Sequence, residues 1–143
     1  MVDSVSDMAG GRATPIVIGI GDVANRSRKV AIEPLQLMLQ AIQLTLNDTN
    51  LSASAAKELQ VQIDRLDVVG SWTWPYTDLL TLLSEKLSVV PRRKYYSPIG
   101  GYHPGKLFDE AAQRILIGET KVAVLTGGEA LASRKPPSTV GYG

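Results

Sequence analysis

Cysteine is absent from this 143-residue sequence, and histidine and phenylalanine occur once each. Without cysteine there are no disulfides, no thiolate metal sites and no cysteine nucleophile. With the single histidine His103 and scattered carboxylates, a transition-metal site has no basis, and neither metal nor cofactor is expected. No apolar run approaches the roughly 20 residues that cross a bilayer. The opening MVDSVSDMAGGRATP is polar and lacks a signal peptide's apolar stretch, so a cytoplasmic protein without membrane contact is expected. Charge of one sign is missing too: 15 basic and 14 acidic side chains are interspersed, for a formal net charge of +1. Only RSRK (residues 26–29) and PRRK (residues 91–94) form basic clusters, which is no footprint for nucleic acid.

The length suits one domain with a real core and is short for two. Residues 1–14, poor in apolar side chains, read as a flexible leader, and residues 134–143, with paired prolines and glycines, as an irregular tail. The domain is expected over residues 15–133. Within it PIVIGIG (15–21) reads as a strand buried on both faces. IEPLQLMLQAIQLTLND places Leu35, Met38, Leu39, Ile42 and Leu46 at helical spacing, with Pro34 suited to the first turn. SASAAKELQVQI is a second helix, capped by Ser52 or Ser54. RLDVVGSWTW (65–74) returns to strand chemistry, and TDLLTLLSEKL (77–87) is helical with Asp78 near its favourable end. RKYYSPIGG is a short strand ending in a turn, PGKLFDEAAQRILIG a helix, and KVAVLTGG (121–128) another buried strand. This alternation specifies an α/β fold, a mainly parallel sheet with helices on its faces. Ligands of such sheets sit at the carboxyl ends of the strands, and His103 follows one such end.

Around His103, Gly100 and Gly101 permit a tight turn with close backbone approach, and the helix behind them would aim unpaired N–H groups at a bound anion or oxyanion. His103 is then either a catalytic base or a polar residue at a helix start. Six of the eight aromatic residues, Trp72, Trp74, Tyr76, Tyr95, Tyr96 and Tyr102, fall between positions 72 and 102, which suggests an aromatic-lined cleft or a subunit interface. Trp72 and Trp74 are expected on one face of a strand, and Tyr95 and Tyr96 on opposite faces. GIGDVANR lacks the third glycine of a dinucleotide site, TGGEAL reads as a strand exit with Glu129 solvated or capping backbone, and Asp109 and Glu110 read as ordinary helix charges.

Five segments, PIVIGIGDVANR, EPLQLMLQAIQLTLND, IDRLDVVGSWTWPYTDLLTLLSEKL, GGYHPGKLFDEAAQRILIGE and KVAVLTGGEAL, together resemble the N-terminal half of thiolase-like acetyl-CoA acetyltransferases, especially the sterol-carrier-protein thiolase branch. The resemblance spans residues 15–133 and keeps the order of every segment. It implies a thiolase-like half-fold and dimerisation through an edge strand, here around residues 94–97. Thiolases carry the acyl-accepting cysteine at a position that aligns near Gly101 or Tyr102, and this chain reads GGYHPG there. Acyl-cysteine chemistry is therefore unavailable. A fragment of an active thiolase would still carry that cysteine, which argues against reading the chain as one.

Small thiolase-like proteins of this kind also resemble accessory enzymes of fungal polyketide pathways that close a β,δ-diketo acyl chain to a 2-pyrone. That resemblance implies a cyclase with His103 as base, Tyr96 or Tyr102 orienting the enol, Gly100 and Gly101 at the oxyanion, and Trp72 and Trp74 lining the substrate channel. The alternative is a non-catalytic acyl-chain or protein-binding module. The expected partners are a polyketide acyl thioester or ester, a polyketide synthase and a second copy of the chain. Whether Asp78, Asp109 or Glu129 assists His103 is not fixed by local spacing.

Overall fold

The computed structural model describes residues 12–27 and 29–130. The leader up to residue 11 and the tail from residue 131 lie outside the described residues, as does the end of the expected domain. The elements run α1 (Pro34–Asp48), α2 (Ala53–Val61), β1 (Ile63–Val68), α3 (Leu79–Leu87), β2 (Arg93–Tyr96), α4 (His103–Leu116) and β3 (Val122–Thr126). The three strands form one parallel sheet in the order β2-β1-β3, the α/β arrangement that the alternation of patterns specifies.

Each helix starts where its chemistry allows. Pro34 opens α1, where a missing N–H costs nothing. The Ser52 hydroxyl accepts the Ala55 N–H at the head of α2, and the Asp78 carboxylate accepts the Thr81 N–H at the head of α3. The last turn of α3 closes on Ser88 in the left-handed region, with φ of 55°. Leu35, Met38 and Ile42 of α1 and Leu79, Leu83 and Leu87 of α3 meet Leu66 and Val68 of β1 in one buried cluster. Ile63 joins the same cluster because a register irregularity between Ile63 and Arg65 shifts the strand's alternation. The Asp64 carboxylate occupies the irregularity and accepts the N–H groups of Lys121 and Val122, which anchors the start of β3.

The opposite side chains of β1 point away from that cluster, and they are charged. Arg65 and Asp67 are both fully buried and joined at 2.7 Å, and Arg65 reaches Glu110 of α4 at 3.2 Å. Arg65 Nη1 and Asp67 Oδ1 have no hydrogen-bond partner among the described residues. Burial is the largest influence on Asp67 and holds its carboxyl above the usual range, although the Arg65 guanidinium beside it pulls the other way.

Two expectations are corrected. Residues 15–21 are not a strand buried on both faces: no described strand pairs with them, and Ile16 and Ile20 are each 72% exposed. An apolar β-rich run becomes a strand only against a bonded neighbour, and the segment lies instead along α1. Gly21 permits this approach, since a Cβ there would collide with the Ala41 carbonyl, and the Ile20 N–H donates to the Asp48 carboxylate at 2.9 Å. The second correction concerns residues 65–74. β1 ends at Val68, so Trp72 and Trp74 stand on a loop and do not share a strand face. Gly70 and Pro75 interrupt the run, and the loop is fastened from outside the sheet by Glu129.

Candidate functional site

Two places near the carboxyl ends of the strands can interact with a ligand: the corner where α4 begins, and a slot between β3 and residues 15–21.

At the corner, His103 is the first residue of α4 and is buried, with 5% of its surface exposed. Its N–H donates to the Gly100 carbonyl at 3.1 Å, and its ring lies 4.2 Å from the Tyr102 ring, centroid to centroid. A Cβ on Gly100 would stand 3.0 Å from the imidazole Cδ2, so the glycine leaves room for the ring. Gly101 is open, with nothing near an added Cβ. Neither imidazole nitrogen has a hydrogen-bond partner among the described residues.

The other residues named from the sequence are spread around this corner. The Tyr96 hydroxyl accepts the Ser71 N–H at 2.9 Å, which fixes it to the loop after β1. Trp74 stacks on Tyr76 at 6.5 Å, Tyr76 accepts the Leu35 N–H, and Trp72 is exposed. None of the three carboxylates weighed as helpers bonds to His103. Asp78 caps α3, Asp109 accepts from the Gln113 amide, and Glu129 accepts from the Ser71 and Thr73 hydroxyls and the Trp72 N–H. These hydrogen bonds outweigh the effect of burial, which alone would raise Glu129, and hold its carboxyl below the usual range. The Thr73 hydroxyl also accepts the Ala130 N–H, so the loop after β1 and the exit of β3 are stitched together.

The slot is a cavity of about 1140 Å³, larger than most small-ligand pockets. Residues 15–23 and β3 line its two sides, and it is bounded by the helix faces of α1 and α4. Among the described residues that line it, the only charged ones are Asp22 and Glu129. Pro104 reaches the slot, but its neighbour His103 does not. Reading the sequence alone missed this cavity because it exists only where the assigned first strand fails to pair. Among the described residues, no group of three histidine or carboxylate side chains could hold a metal ion, and no helix is long and apolar enough to cross a membrane.

The architecture matches a known one. A monomeric SCP2-thiolase-like protein type 1 from Mycobacterium smegmatis superposes with a TM-score of 0.69 at 21% identity over 82% of this chain. The fold is thiolase-like. This chain spans 24% of the length of that protein. No family model and no curated protein sequence matches it.

Proposed function

We propose that this chain is a thiolase-like module that works by binding, with the slot beside β3 as its site, and not by acyl-cysteine chemistry. The cavity carries the reading: it is large, apolar in lining and open beside a sheet edge, while the position aligned with the thiolase nucleophile holds glycine and tyrosine. A module of this kind would hold an acyl chain or a protein segment for a partner such as a polyketide synthase.

A second reading is favoured by one observation, the buried His103 at the start of α4, whose imidazole nitrogens have no hydrogen-bond partner among the described residues. In it His103 removes the enol proton of a β,δ-diketo thioester, the enolate oxygen attacks the thioester carbonyl, and the thiolate leaves with closure of a 2-pyrone. The N–H groups at the head of α4 would steady the oxyanion. Tyr96, already engaged with Ser71, would have to change partner to take part.

One experiment separates the two. Purified protein is incubated with a β,δ-diketo pantetheine thioester without any synthase, and pyrone is followed by absorbance and mass spectrometry. The binding reading expects no acceleration over the blank. Acceleration that disappears in both His103→Ala and His103→Gln would replace it with the cyclase.

A further inference from the structure

α4 is fastened to the sheet differently from α1 and α3. Those two helices share one buried cluster with β1, and no residue of α4 belongs to it. The buried face of α4 is a narrow stripe of His103, Leu107 and Ala111, while Phe108, Ala112 and Ile115 line the slot. Apolar contact has no direction, so a stripe this narrow does not by itself fix how the helix is rolled about its axis. Glu110 lies on the same face as His103, two turns and about 10.5 Å further along the axis. Its contact with Arg65 at 3.2 Å is the one polar link between α4 and a strand among the described residues. Asp67 takes Arg65 Nε at 2.7 Å, which leaves Nη2 aimed at α4. The arrangement is costly: both strand residues are fully buried, and Arg65 Nη1 and Asp67 Oδ1 have no partner among the described residues. Apolar side chains in their place would serve stability as well or better. What the charges add is direction, since a guanidinium bonds a carboxylate only along its N–H groups.

We infer that Arg65 and Glu110 are positioning residues that set the roll of α4 on the sheet, and with it the buried seat of His103 at the head of the helix. Asp67 aims the guanidinium and completes the clamp. Neither Arg65 nor Glu110 bonds to the imidazole, so their effect passes through the helix. The seating of α4 holds under either reading of function, and its consequence for chemistry rests on the cyclase reading, in which the imidazole must stay beside Gly100. A helix rolled toward the slot would carry His103 out of that seat and into solvent.

The test uses the full chain. His103 is its only histidine, so the rate of carbethoxylation by diethyl pyrocarbonate, followed by the ultraviolet absorbance of carbethoxyhistidine, reports this one side chain. Buried as it is, His103 should react slowly in the parent and about fivefold or more faster in Glu110→Gln. Asp109→Asn removes a charge from the adjacent, exposed position at a similar distance and should leave the rate unchanged. Leu83→Ala weakens the cluster that excludes α4, so it should raise the rate less than Glu110→Gln although it costs more stability. In Arg65→Met with Asp67→Leu the rate should rise as in Glu110→Gln, and adding Glu110→Gln to that background should change nothing further. An unchanged rate in Glu110→Gln would overturn the inference, and so would an equal rise in Asp109→Asn, a larger rise in Leu83→Ala or a further rise on the double background. The pyrone assay keeps the two claims apart. Faster reaction of His103 in Glu110→Gln with no pyrone from the parent removes the cyclase and supports the seating of α4, whereas pyrone from the parent with an unchanged rate in Glu110→Gln overturns the seating alone.

Discussion

β2 and β3 flank the same central strand, yet they end the sheet in opposite ways. β2 is four residues long and wholly exposed, and it begins with Arg93 and Lys94. Short charged edges discourage a further strand. β3 carries no charged side chain and faces an apolar slot with a second unpaired segment beyond it. The lesson is that an edge is defined by what its side chains forbid as much as by its free backbone, and only the β3 side of this sheet lacks such a prohibition. A homodimer through β2 would set Arg93 and Lys94 of one copy near those of another, at a cost that salt screens.

The closed side of the molecule depends on charges as well as on packing, and the largest expected effect is there. Asp67→Ala would leave the buried Arg65 guanidinium with only Glu110, which is partly exposed. Removing one partner of a buried pair costs about 3–5 kcal/mol, to be read from urea unfolding. Replacing both as Arg65→Met with Asp67→Leu should cost less than Asp67→Ala alone, because no charge is then stranded. If Asp67→Ala were nearly neutral, the floor of the sheet beneath α4 would be wet and the contrast between a closed and an open side would collapse.

The same comparison can be drawn with one kind of truncation in two places. Leu83 is fully buried between the sheet and its helices, and Leu83→Ala should cost about 2–5 kcal/mol. Ile20, 72% exposed in the segment beside the slot, should change stability by no more than about 0.5 kcal/mol as Ile20→Ala. Equal losses at both sites would mean that the slot is already filled in solution.

How much of this was legible in the sequence follows from the range of each interaction. The helices were readable because their signals are local: the 3–4 spacing of Leu35, Met38 and Ile42, Pro34 at the first turn, and the caps Ser52 and Asp78. The parallel sheet followed from the alternation of patterns, and His103 was placed correctly at a helix start. Residues 15–21 misled, since PIVIGIG has the composition of a central strand and nothing in it reports whether a neighbour is present. Trp72 and Trp74 misled for the same reason, the strand before them stopping at Val68, six residues short of the end at Trp74 that its composition suggested. The ion pair was half legible: Arg65 and Asp67 alternate within IDRLDV and so share a face, but their burial depends on α4, some forty residues away. The grip of Glu129 on Ser71, Trp72 and Thr73 spans more than fifty residues and has no local signature.

That grip lies where the closed and open sides meet, and it gives the smallest of the expected effects and one with a sign in pH. Glu129 is exposed, so solvent screens its charge, but its carboxylate accepts two hydroxyls and one backbone N–H. Glu129→Gln retains the shape and loses the charge assistance, for about 1 kcal/mol at neutral pH. A carboxyl held below its ordinary range stabilises the fold above that range, and the contribution disappears as pH falls through the depressed folded value. The parent should therefore lose stability on the acid side faster than Glu129→Gln, and the two curves should converge there. Parallel curves over the whole acid range would show that the loop at residues 71–73 is held by the Ala130 N–H to Thr73 bond and by packing alone.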